Sequence, residues 1–220
     1  MNATFLGHAC FLLDDGTHKV IVDPYLSGNP LATVTPDKIE ADFICVTHGH
    51  GDHIGDSVEI ARRTGATVFC TVDLAGAVYK PAGVKATGGN LGGTAPMPFG
   101  SVKLFPAIHG SGVAGGLACG FILEMGGMKI YHAGDTALMA DMALLEEENI
   151  DIALLPIGDF YTMGPKDALR AVRMIRPRLT IPMHYNTFPA ICQNPHAFAA
   201  TVEEAGFAAK VLNPGESISF

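Results

Sequence analysis

The chain has no apolar run approaching the roughly 18 residues that a membrane-crossing helix requires. Its first residues, Met1-Asn2-Ala3-Thr4-Phe5, lack the basic and long apolar segments of a secretory signal, so the expected compartment is the cytoplasm. Cysteine is sparse. The five thiols, at positions 10, 45, 70, 119 and 192, are odd in number, widely spaced and without a CxxC pair. That pattern argues against a disulfide framework and against a thiolate zinc site. Positive charge is also scarce: 14 Lys and Arg stand against 22 Asp and Glu, for a net charge of −8 with His neutral. No Lys/Arg cluster is present to grip a phosphate backbone. No short repeat, linker or charge block divides the 220 residues, and 48% of them are hydrophobic. Residues 1–220 are therefore expected to form a single domain.

Periodicity and turn residues give a mixed series of elements. Strands are expected at Thr4–Leu6, Phe11–Leu13, Lys19–Val22, Phe43–Val46 and Thr67–Cys70, with Asp15-Gly16 as a hairpin turn. Further strands are expected at Ser101–Phe105, Gly120–Glu124, Lys129–Tyr131, Ile152–Leu155, Thr180–Pro182, Val211–Leu212 and Ser217–Phe220. Pro36 opens a short helical turn. Helices are expected at Asp56–Arg63, from Asp73 as cap to about Tyr79, at Ala137–Glu148, at Pro165–Arg176, and after the Asn194-Pro195 cap. The Gly- and Pro-rich stretch Ala86–Gly100 reads as a loop or irregular hairpin. Meanders and interleaved helices in both halves suggest an α+β fold of two mixed sheets packed face to face, with helices outside.

The densest chemical signal is Thr47-His48-Gly49-His50-Gly51-Asp52-His53, directly after the apolar run Phe43–Val46. Neutral imidazole and carboxylate suit zinc, iron and manganese. Packing does not explain so many polar groups together, because each needs a partner when buried. Gly49 and Gly51 permit turns that aim alternate side chains at one point. Four ligands in one loop cannot all reach one ion, so partners are expected elsewhere. His109, Asp135 and His184 each lie just past an expected strand end, where open α/β sheets place their sites.

These residues carry a resemblance. His48-Gly49-His50-Gly51-Asp52-His53 matches the H-x-[EHD]-x-D-H hallmark of the metallo-beta-lactamase superfamily of metal-dependent hydrolases. The strings Gly7-His8-Ala9-Cys10-Phe11, Asp23-Pro24-Tyr25-Leu26-Ser27-Gly28-Asn29-Pro30, Pro156–Pro165 and His184-Tyr185-Asn186-Thr187-Phe188-Pro189 look like its uncharacterised metal-dependent hydrolase subgroup, near the ascorbate-6-phosphate lactonase type. The resemblance implies a four-layer αββα sandwich with two divalent ions, zinc foremost and manganese or iron as alternatives. It implies that His48, His50 and His109 hold one ion, that Asp52, His53 and His184 hold the other, and that Asp135 bridges them. The implied reaction is hydrolysis of a small ester, lactone or phosphodiester by a hydroxide held between the ions. Asp52 would orient that nucleophile. His8 is a candidate proton donor or substrate contact, with a hydrogen-bonded strand-end histidine as the alternative. Tyr185, Asn186 and Thr187 could donate to an oxyanion or simply build a turn. Asp23 is the candidate to orient a ligating imidazole.

Two other activities use the same ligands. A nuclease fits the metal chemistry, but the acidic balance and the missing tRNA-clamping arm count against it. A diiron oxidoreductase is disfavoured because position 50 is His, where the diiron oxygen reductases usually carry Glu, and because no flavin domain is attached. The expected partner is a small-molecule substrate, with no nucleic acid and no membrane span; a homo-oligomer is compatible with the sequence. The segments Ser27–Thr35 and Ala86–Gly100 are candidates to border the cleft. His132 reads as a satisfied core histidine, and Met97, Met163 and Met183 as core fillers in preference to cleft residues.

Overall fold

Strand residues alternate between two apolar environments, and that alternation sets the layering. In the computed structural model, which describes residues 1–220, the strands are β1 (Asn2–Gly7), β2 (Cys10–Asp14), β3 (Lys19–Val22), β4 (Phe43–Cys45), β5 (Thr67–Thr71), β6 (Ala86–Gly89), β7 (Thr94–Met97), β8 (Gly100–Pro106), β9 (Cys119–Met125), β10 (Met128–His132), β11 (Ile152–Pro156), β12 (Leu179–Met183) and β13 (Ser217–Ser219). Seven form one sheet in the order β13-β1-β2-β3-β4-β5-β6, and six form the other in the order β12-β11-β10-β9-β8-β7. Both are mixed. In the first, β3 to β6 run parallel; in the second, β10, β11 and β12 do.

Phe5, Val22, Cys45 and Phe69 point into the core between the sheets. Their neighbours Leu6, Ile21, Ile44 and Val68 point the other way, into a second core. Helices α1 (Gly51–Ile54), α2 (Ser57–Thr64) and α3 (Val72–Leu74) follow the first sheet's strands, and Ile60, Ala61 and Leu74 close that outer core. Helices α4 (Pro165–Ile175) and α5 (Pro195–Glu204) cover the second sheet through Val172, Ile175, Phe198 and Val202. Each such fully buried side chain contributes roughly 1.5–3 kcal/mol of hydrophobic stabilisation. The result is the expected pair of face-to-face mixed sheets with helices outside. No helix is long and apolar enough to cross a membrane.

Four expected elements differ. The cap after β5 is Thr71, whose hydroxyl accepts from Leu74 N–H, so Asp73 lies inside the helix and not at its start. The helix then widens into a π-turn over Ala75–Tyr79. Ala86–Gly100 is not one loop: Ala86–Gly89 joins the first sheet and Thr94–Met97 the second. Its Gly88 reflects close packing, since a Cβ there would come within 2.6 Å of Val72 Cα. Ala137–Glu148 forms only 3₁₀ turns over Ala140–Glu146: Met139 is extended at φ −135° and ψ 151°, and Ala137 N–H donates to Ile108 O at 3.1 Å. Val211–Leu212 is not a strand; the edge of β12 is met two residues earlier, where Thr180 bridges Ala209.

One glycine locks the N-terminal half of the site. Gly55 ends α1 at φ +43°, and a Cβ there would fall on the Pro24 carbonyl. Asp56 N–H donates to that same carbonyl at 2.9 Å. Gly55→Ala is therefore expected to destabilise the fold by roughly 2–4 kcal/mol, from backbone overlap and left-handed strain together. Urea unfolding measures it, and a change below about 0.5 kcal/mol, the range of a neutral surface substitution, would contradict the close approach.

Candidate metal centre

Strand polarity brings the candidate ligands to one edge. Strands β1, β3 and β4 end on the same side of the first sheet, and β8, β10 and β12 end together in the second. His8 follows β1, Asp23 follows β3, and the 47–53 loop follows β4. His109 lies beyond β8, Asp135 beyond β10, and His184 follows β12. The two sheets are tied there by His184 N–H donating to His8 O at 2.7 Å and Gly49 N–H donating to Ser111 O at 2.7 Å. His8, Asp23 and His184 all adopt positive φ, of 59°, 46° and 56°. Such strain in non-glycine residues gathers at functional sites.

His48, His50 and His109 form one group. His48 Nε2 and His109 Nε2 approach the same His50 Nδ1, at 3.0 and 3.3 Å. Asp52 and His53 are successive residues of α1, so one helical step sends Asp52 towards the cleft and His53 inward. His8, Asp52, His53 and His184 form a second group whose ligand atoms lie within 4.8 Å of one another. Asp135 stands between the groups and is only 3% exposed. Its Oδ1 is 3.2 Å from His53 Nε2, and its Oδ2 is 3.1 Å from His184 Nε2 and 3.4 Å from His109 Nε2.

Those short separations are not aligned hydrogen bonds. His53 Nε2, Asp135 Oδ1 and both His184 ring nitrogens are buried without a hydrogen-bond partner. Orphaned buried polar atoms are rare and need a cause. Two donors on one tetrahedral zinc, each at about 2.0–2.1 Å, sit about 3.3 Å apart. The observed spacings match co-ligands of a shared cation, so the residues present fit a metal.

Burial sets the protonation of the group. Desolvation pulls His48 and His109 below the ordinary imidazole value, which leaves them neutral and able to ligate. Burial also lowers His53, but the charges of Asp135 and Asp23 outweigh it and hold that ring well above its usual value. Burial raises Asp135, and His53 and His184 outweigh it, keeping the carboxylate ionised. Asp23, fully buried, accepts from Thr47 N–H at 2.8 Å, from Thr47 Oγ1–H at 2.7 Å and from His53 Nδ1–H at 2.7 Å. That bond turns His53 Nε2 towards Asp135.

His8 is fully buried between Thr187 Oγ1, at 2.6 Å from Nδ1, and Asp52 Oδ2, at 3.2 Å from Nε2. An ionised carboxylate only accepts, so Nε2 carries the proton and Nδ1 accepts from Thr187. Burial is the main reason its pKa falls from 6.5 to about 4. In metal-free protein the unfolded chain then binds a proton between those values that the folded chain refuses. The His8 contribution is full above pH 6.5 and is lost as pH drops towards 4; His48, His109 and His132 shift in the same direction, whereas His53, whose value is raised, loses its contribution only as pH climbs above 6.5. Urea midpoints of chelator-treated protein should decline across that window, with a shallower decline for His8→Gln. A midpoint that rises on acidification would contradict the neutral, buried imidazoles.

Tyr185 does not join the site. It is buried in the inter-sheet core, with its ring 6.4 Å from Phe5, and burial lifts its pKa to about 12. The left-handed turn at His184 and Asn186 sends it away from the cleft. Asn186 builds the turn by accepting from Gln193 N–H at 2.8 Å, while Thr187 holds His8. His132 is a satisfied core histidine, donating to Ala9 O at 2.8 Å and accepting from Gly134 N–H at 3.2 Å. Met163 and Met183 are core residues. A cleft of about 760 Å³ opens over Asp52 and Asp135, and Ser27–Thr35 and Ala86–Gly100 do not line it. Tyr25, Tyr161 and Phe188 do. Sequence reasoning singled out none of the three, although each sits in a string beside a ligand-bearing loop.

A profile for the beta-lactamase superfamily domain matches residues 2–184. The chain belongs to this metallo-beta-lactamase superfamily. Within the superfamily it is similar to a UPF0173 metal-dependent hydrolase of Heliobacterium modesticaldum, 47% identical over 232 residues that cover 100% of this chain and 97% of the relative. One from Archaeoglobus fulgidus is 45% identical and covers 100% and 99%. The structure of Igni18, a metallo hydrolase from the hyperthermophilic archaeon Ignicoccus hospitalis, superposes with a TM-score of 0.94 at 38% identity, covering 100% of this chain and 97% of that one. This superfamily member is thus a metal-dependent hydrolase with a His/Asp cluster that could hold metal.

Proposed function

We propose that the chain holds two divalent ions and hydrolyses a small ester, lactone or phosphodiester in the cytoplasm, with residues 1–220 acting as one domain. In this reading His48, His50 and His109 hold one ion, Asp52, His53 and His184 the other, and Asp135 is shared. The observation that carries it is Asp135 standing within 3.4 Å of ring nitrogens from both groups, with orphaned atoms around it. The donor set of imidazole and carboxylate fits zinc foremost, with manganese and iron also suited.

Two bound ions supply a water acidified towards neutrality and positive charge where a substrate oxygen turns negative. The chain's own groups do the rest. Asp52 lines the cleft and its Oδ2 accepts from His8 Nε2–H, so the held carboxylate can fix the direction of attack. Thr187 fixes the His8 ring from the other side. Asp23 fixes the tautomer of His53. The cleft volume suits a small molecule.

Elemental analysis of protein grown in supplemented medium tests the reading. The expected result is about two transition-metal ions per chain. Near-zero metal, or an unfolding temperature that zinc does not raise, would reject it.

A further inference from the structure

The cleft is rich in one kind of wall and has none of another. Tyr25, Tyr161 and Phe188 line it beside Asp52 and Asp135, and no Lys or Arg does. The cations sit in other grooves: Arg62 and Arg63 lie near Glu59, and Lys166 lies near Asp159.

Each aromatic ring is fixed by backbone that also serves the ligands. Tyr25 follows Pro24, which Gly55 and Asp56 clamp to the end of α1; the Asp56 carboxylate accepts from Leu26 N–H at 3.0 Å and Ser27 N–H at 2.8 Å. Phe188 follows Thr187, stacks on Tyr25 at 6.4 Å and 26°, and meets the edge of His8 at 5.5 Å. Tyr161 sits on a turn where Asp159 and Phe160 both take positive φ, of 62° and 49°. Met163 N–H pins that turn to Thr136 O, at 3.0 Å, in the loop just past Asp135. Tyr161 remains 53% exposed and Phe160 74% exposed. Large aromatic rings held in water by a strained turn are not explained by packing, and such surfaces mark ligand sites.

We propose that the substrate is an uncharged carboxylic ester or lactone bearing a flat apolar group, which lies against Tyr161 and the Tyr25–Phe188 wall. The inference rests on the hydrolase reading and narrows it by placing uncharged acyl substrates ahead of phosphodiesters. The proposed ions could receive phosphoryl oxygens, but no guanidinium or ammonium in the lining adds to them, and the aromatic wall gains nothing from an anion. A flat apolar group gains ring contacts at the same place. In the reaction, water adds across the acyl C–O bond. The water oxygen bonds to the carbonyl carbon, the bond to the leaving oxygen breaks, and that oxygen takes the proton; no electrons enter or leave.

Binding and turnover test the inference separately on zinc-loaded protein. NMR titration compares two amides that resist hydrolysis, N-benzylacetamide and N-ethylacetamide. The benzyl compound is expected to bind about tenfold tighter, with most of that preference lost in Tyr161→Ala and kept in Tyr161→Phe. Equal affinities in the parent protein overturn the proposal, as does a preference untouched by Tyr161→Ala. Turnover then compares benzyl acetate with methyl benzyl phosphate. Faster cleavage of the phosphodiester overturns the substrate class and leaves the hydrolase reading standing. No cleavage of either by protein carrying two ions counts against the hydrolase reading, while the amide titration still decides the aromatic site.

Discussion

Asp135→Asn lowers hydrolysis at least about a thousandfold and reduces bound metal from about two ions per chain to one or fewer. The reason is position. Asp135 is the one carboxylate within 3.4 Å of His109 on one side and of both His53 and His184 on the other. Asparagine keeps the shape and removes the charge that, in the proposed two-ion site, would offset both cations. The side chain is 3% exposed and lies past the end of β10, so the sheets lose no packing. Metal-free variant protein should keep the parent's far-ultraviolet circular dichroism. Metal content and turnover on whichever ester the parent cleaves are the readouts. A variant with two ions and full turnover would remove Asp135 from the shared position.

Asp23→Asn weakens metal binding by about 10- to 100-fold, although Asp23 touches no proposed ion. Its carboxylate accepts from two groups of Thr47 and from His53 Nδ1–H. An amide offers one acceptor oxygen and one donor nitrogen. With the donor facing His53, the proton must move to Nε2, the atom that points at Asp135. The ring keeps its place and loses the lone pair that faces Asp135. Asp23→Ala adds a stability loss of several kcal/mol, since each of the three orphaned donors costs roughly 1–3 kcal/mol. Competition with a zinc chelator measures the affinity. Unchanged affinity in Asp23→Asn would show that another group fixes the His53 tautomer.

Local chemistry made much of this fold readable. Lys19–Val22 begins and ends where the Asp15-Gly16 turn and Asp23-Pro24 place it, because those breakers act through their own backbone. Pro195 and the Asn194 cap fix the start of α5 in the same way, with Asn194 Oδ1 accepting from Ala197 N–H. The misjudged stretches are those whose partners are remote. Gly88 looks like loop composition until Val72 is seen lying against it. Ala137 has helical propensity, but bonds from Ala137 N–H to Ile108 O and from Met163 N–H to Thr136 O tie its segment to remote chain, and Met139 is extended. The site followed the same division. His48 to His53 announced themselves by density, and His109, Asp135 and His184 by their place after strands. Tyr185 and Tyr161 could not be told apart, because which of two tyrosines meets the cleft depends on left-handed turns at His184 and at Asp159-Phe160.

The cluster draws on both sheets, so a cation held there would join ion supply to survival of the protein. On an unfolded chain the 47–53 stretch has no help from 109, 135 or 184, so high affinity would exist only after the two halves have closed on each other. Whatever binds the closed form alone deepens its well in proportion to the logarithm of free concentration. A cell short of the ion would therefore hold more of this chain in opened forms, exposed to proteases, and its abundance would track metal status without any dedicated sensor.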